Sequence, residues 1–414
     1  MKILKSISVF IILIILSSNA IAQKVYQWRG ANRDGIYNEN KLLKVWPEGR
    51  PNLLWSTDQL GVGFAAPVIT GDKLLINSES DSISYLMAFD LKGKLLWKSP
   101  NGKEYYGKGF SASYPGSRST PTVVGDLVYT TSGKGRLACF EVATGKEKWA
   151  VNMVADLGGL ENEFGYSESP LIDGDNVYCM PGGANKNVAA LNRFTGKTIW
   201  TSKATGDTTS FCSPILINLP LRKIFVSLSH HYFFGIDAKD GDLLWSQKLE
   251  NFKYDGEHCS TPLFVDGFLY YLVEDENGNG AVKLEISADG KSIKEIWNNK
   301  SVTNSMGGYV IIKNHLFTTT KKKKLICADA TTGTILDSLS PIKGSLIYAD
   351  KLLYCYTETG DMRLIKFEND KFIEISKFRV DKGTKEHFSH PVIADGILYI
   401  RHGKALMAYY IKEK

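Results

Sequence analysis

The sequence predicts an all-β fold, an eight-bladed β-propeller of four-stranded blades, and three observations carry that expectation. First, the stretch Leu137 to Trp149, LACFEVATGKEKW, is rewritten along the chain. Its copies run from Ala190 to Trp200, Gly235 to Trp245 and Ile326 to Asp337, with a looser one from Met87 to Trp97. Each joins a short apolar run to a second short strand through a turn carrying Gly, the residue that accepts the positive φ such hairpin turns need. Second, each copy has an upstream hairpin, as in Ser119–Tyr129 (STPTVVGDLVY), Glu168–Tyr178 and Ser260–Tyr270. Four strands per unit at a period in the forties is the pattern of a propeller blade. Third, the ends are complementary: the strand ending at Trp55 lacks earlier strands, and the last unit, from Ser389, stops after Ala405–Ile411 without a fourth. The N-terminal strand is therefore expected to complete the C-terminal blade and close the ring, leaving no open sheet edge.

Taken in order, residues 1–22 read as a signal peptide. Lys2 and Lys5 precede the apolar run Ile7–Leu16, and Ala20-Ile21-Ala22 is a small-residue cleavage signal ahead of Gln23. That run is short for a membrane span, and no other stretch approaches its length. Residues 23–414 then form one β-propeller domain, expected to be exported, periplasmic or secreted, with no transmembrane span after cleavage near Ala22. Gln23 rather than Cys at the cut argues against a lipid anchor. With 43% hydrophobic and 23% charged residues the chain has ample material for a core. Its formal charge of +6 falls by the two leader lysines, too weak a balance to imply nucleic acid. Seven full units follow, headed by Pro67, Pro121, Pro170, Pro214, Pro262, Gly308 and Leu346, and the incomplete eighth by Pro391.

In a propeller the innermost strand of each blade begins beside the central channel, so the residues ahead of each blade head form a ring at one mouth. That ring reads Arg118, Tyr166, Glu168, Phe211, His258, Asn304, Lys343, His387 and His390. Convergent polar and aromatic groups in a concavity make the mouth a candidate site for a small ligand or a protein partner. The alternative is that these groups satisfy one another where strands crowd the axis.

Other features read as structural. Asp275–Gly280 opens like a calcium loop, but the twelfth position holds Ile286 where a bidentate acid is required, so no metal site is expected. His230 and His231 are neighbours on a hairpin whose side chains point to opposite faces. Lys321–Lys324 reads as a solvated turn. The six cysteines form no C-x-x-C, haem-type or adjacent pair. Cys139 and Cys327 occupy equivalent third strands, Cys179 and Cys355 equivalent second strands of the following blades. All four are expected as buried thiols, because stacked blades about 10 Å apart rarely bring Cα atoms close enough to bridge.

With the T-G-x-x-x-W tails, the S-x-P heads and the opening W-R-G-x-N-R-D-G of Trp28–Gly35 in view, the chain resembles the pyrroloquinoline-quinone (PQQ)-like eight-bladed propellers. The resemblance implies that the repeated Trp packs between blades, leaving Trp28 as the loose one. It admits two functions: a non-catalytic binding or scaffold propeller, like the propeller lipoprotein of the outer-membrane assembly machinery, or a PQQ-dependent oxidoreductase acting on an alcohol or sugar. The enzymes hold the quinone with calcium, a basic Asp and a vicinal disulfide, and use long insertions. Here the disulfide is missing and the blades average about 49 residues. The missing disulfide and short blades favour a scaffold with no cofactor and no catalytic residues over the enzyme.

Overall fold

The computed structural model describes residues 25–249, 258–273, 279–304 and 306–413. The leader and residues 275–278 of the acidic hairpin lie outside them.

Eight four-stranded antiparallel sheets follow one another along the chain. Their innermost strands are Val68–Thr70, Thr122–Val124, Leu171–Asp173, Ile215–Asn218, Leu263–Val265, Tyr309–Ile312, Gly344–Ala349 and Val392–Ala394, which we number as blades 1 to 8. The second and third strands of each blade are covered on both faces by neighbouring blades, so they are nearly continuously apolar and buried, as in Leu127–Thr131. The outermost strands face solvent on one side and alternate, as in Asn52–Thr57. That strand pairs with Ala405–Tyr410 (Asn52↔Tyr410, Thr57↔Leu406) and is the fourth strand of blade 8. Ring closure is thus as expected.

The tail motif explains how blades join. Trp55, Trp97, Trp149 and Trp297 each donate the indole N–H to a backbone carbonyl of the next blade, those of Leu91, Val142, Arg193 and Ala330. Each indole lies where a Cβ would stand on that blade's turn glycine; at Gly196, φ +71°, a Cβ would sit 2.7 Å from Trp149. The Gly of one unit and the Trp of the preceding one are therefore a single contact. Four joints depart from this: the Trp200 indole covers Gly241 and the Trp245 indole folds over Gly235 of its own blade, neither N–H meeting an acceptor among the described residues, and two joints have no Trp. Asp337, in the Trp position, accepts the Phe372 N–H at 2.8 Å. Ser376, equivalent in blade 7, accepts the backbone N–H of Trp46, whose ring from the N-terminal lead-in packs edge-on to Tyr354 and Phe378. Each outermost strand also shifts register next to the Trp position, as between Ala190 and Leu191 opposite Trp200. Such bulges on exposed edge strands discourage pairing between molecules.

Cys139 and Cys179 are buried in one apolar cluster and Cys327 and Cys355 in another, as thiols. Burial pushes the Cys139 thiol up to about 12.

Candidate functional site

Period-two geometry decides which head residues reach the channel. Count back from the head proline, or from Tyr309 and Leu346, which hold its place in blades 6 and 7: Leu171↔Tyr178, Val310↔Phe317 and Ile347↔Tyr354 are equivalent pairs. The head of blade 6 is thus Tyr309, one residue beyond Gly308. The third residue ahead of each head is Phe64, Arg118, Ser167, Phe211, Cys259, Met306, Lys343 and Phe388, and all eight line one cavity of about 280 Å³ at the channel mouth. Residues one place ahead, Ser169, Ser213 and His390, line it as well. Side chains at odd offsets face inward because successive side chains of an extended chain alternate sides.

Of the nine mouth residues read from the sequence, Arg118, Phe211, Lys343 and His390 stand in this wall. The others lie behind it. Tyr166, His258 and His387 sit four places ahead and turn into the joint with the preceding blade, against Gly135, the His230 carbonyl and Gly360 respectively. The Tyr166 hydroxyl donates to the carbonyls of Leu160 and Pro181, and His258 Nε2 lies 3.1 Å from the carbonyl oxygen of His230. His387 stacks on His402 at 3.6 Å and hydrogen-bonds the Tyr356 hydroxyl. Burial lowers His258 to about 4, and burial with the neighbouring His402 does the same to His387. Glu168, two places ahead, is buried and accepts the Met180 N–H at 2.8 Å. Asn304, five ahead, donates to the carbonyl of Gly308 and the hydroxyl of Thr318.

The rest of the wall comes from longer connections. Phe110 and Tyr114, from the long loop ahead of blade 2, and Phe164, ahead of blade 3, join Phe64, Phe211 and Phe388 in a belt of neighbouring rings. Lys321, from the lysine run, lines the cavity too. Arg118 lies over Phe64 and Phe164 and donates to the carbonyls of Gly116 and Tyr114. Those two bonds leave three of its five N–H donors without a protein acceptor among the described residues. Lys343 pairs with Glu358 at 2.8 Å. Among the described residues the cavity lining contains no carboxylate. The aromatic belt was visible in the sequence only at Phe211; Phe64 and Phe388 carry the same offset from their prolines.

From below, residues 25–37 fill the channel. Arg29 donates to the carbonyls of Gly307, Tyr309 and Leu346 and to His390 Nδ1; Arg33 donates to those of Ser169, Pro170 and Pro214. Trp28 is in the cavity lining. The W-R-G-x-N-R-D-G motif is therefore the axial filling of the ring.

An eight-bladed propeller with a filled axis and an aromatic, cation-bearing mouth defines the class. A family model described as outer membrane protein assembly factor BamB matches residues 82–339, and the chain belongs to that family of PQQ-like propellers. It is similar to the outer membrane protein assembly factor BamB of Shewanella oneidensis, 24% identical over 283 residues, an alignment taking in 56% of this chain and 66% of that one. The chain thus spans slightly under two thirds of that relative. Among solved structures, BamB from Moraxella catarrhalis superposes with a TM-score of 0.61 at 13% identity, covering 87% of this chain and 100% of that one. A europium-containing methanol dehydrogenase gives 0.67 at 12% identity, covering 91% and 90%. At these identities the structural matches show the shared fold.

The mouth does not fit a calcium-held quinone. Such a site needs oxygen ligands for a hard cation and a carboxylate base. Among the described residues this wall offers cations, hydroxyls and rings, while Glu358 is engaged by Lys343 and Glu168 lies behind the wall. Cys259, flanked by His258 and Ser260, cannot form a vicinal disulfide.

Proposed function

We propose that this chain is an exported, non-catalytic binding propeller that holds a protein partner, or a small anionic ligand, at its channel mouth. The observation that carries the reading is the convergence of all eight third-position residues on one cavity where a belt of aromatic rings is interleaved with the cations Arg118 and Lys343, with no carboxylate among the described lining residues. An anionic group would meet the unused N–H donors of Arg118, and its apolar body the ring belt. Membership in the BamB family supports a scaffold whose partners are polypeptides. The leader features of residues 1–22 support export, followed by removal of those residues. Among the described residues no helix is long and apolar enough to cross a membrane.

The test titrates the purified mature protein with 8-anilinonaphthalene-1-sulfonate (ANS), an aromatic anion that brightens in apolar surroundings. Neutral substitutions Arg118→Gln and Lys343→Gln avoid setting a new acid against Glu358 or against Glu104, whose charge acts on Arg118. Together they should weaken ANS binding more than about tenfold, as loss of charge-assisted contacts does, with the melting temperature nearly unchanged. Unaltered ANS affinity in the double variant would refute the reading. A large loss of stability would make these residues structural instead.

A further inference from the structure

The channel filling has a geometry that bears on recognition. Val25 and Tyr26 pair antiparallel with the innermost strand of blade 2, Val25↔Val124 and Tyr26↔Val123. Innermost strands run away from the mouth, so this segment climbs toward it. After the turn, Ile36 and Tyr37 run parallel to the innermost strand of blade 7, Ile36↔Tyr348 and Tyr37↔Ala349, back to the far face. Both ends of the loop therefore leave on the face opposite the cavity. The loop is seated from that face with its tip beneath the mouth.

The tip is fixed by groups that only donate. Arg29 and Arg33 are buried and adopt φ of 55° and 59°, a left-handed conformation that side chains other than Gly seldom take. Their bonds to carbonyls of blades 3, 4, 6 and 7 offset that strain. Because a guanidinium has no acceptor, His390 Nδ1 must accept from Arg29, which places the ring proton on Nε2, facing the Met306 carbonyl at 3.4 Å. The His390 ring in turn meets Trp28 edge-on at 4.4 Å, and the Trp28 indole N–H donates to Thr261 Oγ1 at 3.2 Å. Trp28 is the one tryptophan in the cavity lining.

We propose that residues 25–37 are a built-in stopper that makes the channel a blind site. Trp28 is its recognition surface for the aromatic part of an anionic occupant, and Arg29 and Arg33 are positioning residues that hold it there. This rests on the mouth being the binding site. The same ANS titration, on the full mature chain, separates the two readings when Trp28→Ala and Arg29→Gln are added. Trp28→Ala, which keeps both pins, should weaken ANS about tenfold, the loss of one stacking partner and its buried area, with normal hydrogen exchange at the amides of 29–35. Arg29→Gln should weaken ANS similarly and speed exchange at those amides, and Arg29→Lys should recover part of both. ANS affinity unchanged by Trp28→Ala, while Arg118→Gln with Lys343→Gln abolishes it, would overturn the stopper's role and leave the mouth site standing. Failure of the unaltered protein to bind ANS would overturn both.

Discussion

Glu168 sits behind the cavity wall with its carboxylate in an environment that disfavours charge. It is 2% exposed, Oε1 accepts the Met180 N–H, and Oε2 meets no donor among the described residues. Burial raises its pKa from 4.5 to about 7, although the Met180 bond and the Arg33 charge both pull the other way. The folded protein therefore keeps this proton to higher pH than the unfolded chain does. The resulting stabilisation is complete below about pH 4.5 and is lost as pH rises through about 7. At about 1.4 kcal/mol per pH unit, the window is worth about 3 kcal/mol. Glu168→Gln keeps an acceptor for Met180 and removes the titration. Urea unfolding from pH 4.5 to 8 should show the difference in stability between the two proteins changing by about 3 kcal/mol in favour of the variant at high pH. His258, held down to about 4, loses stabilisation as pH falls below 6.5 in both proteins and cancels in the difference. Parallel profiles would refute the assignment.

A chain beginning at Ala65 lacks the closing strand and leaves Ala405–Tyr410 with a bare edge; it should aggregate or melt without a cooperative transition, whereas one beginning at Asn38 keeps that strand and should fold. Gly196→Ala, which drives a Cβ into Trp149 at positive φ, should cost about 3 kcal/mol. Gly71→Ala, at φ +56° with nothing within 4 Å, should cost only about 1 kcal/mol; equal losses, measured by denaturant unfolding, would contradict the joint proposed between blades.

The repeat made the fold legible, because five of the joints copy one Trp-on-Gly contact along the chain and a copied contact fixes strand count, blade order and closure together. The mouth was only half legible. Arg118 and Phe211 were read at the inward offset, but Tyr166 and His258 were read one residue off it, where alternation turns the side chain toward the neighbouring blade. Counting every unit from its proline would have picked Phe64 and Phe388 as well. In blade 6 Tyr309 replaces the proline, and only pairing of Val310 with Phe317 sets the count. Arg29 and Arg33 were beyond such counting. Nothing local in W-R-G-x-N-R-D-G shows that carbonyls of six distant residues converge to receive two guanidinium groups. Lys321 reached the cavity for a related reason: its hairpin borders the mouth only once the ring is closed.

The shared cavity contains a native reporter. Cys259 holds the inward third position of blade 5 and is half-buried, while Cys139, Cys179, Cys212, Cys327 and Cys355 are buried thiols. Titration of the folded, unreduced protein with an aromatic anionic disulfide reagent such as 5,5′-dithiobis(2-nitrobenzoate) should modify one thiol, mapped to Cys259, and ANS should slow that reaction. Denaturation should bring the count to six. Modification of Cys259 at a rate indifferent to ANS, or of a buried thiol before it, would contradict the claim that these residues enclose one anion-binding mouth.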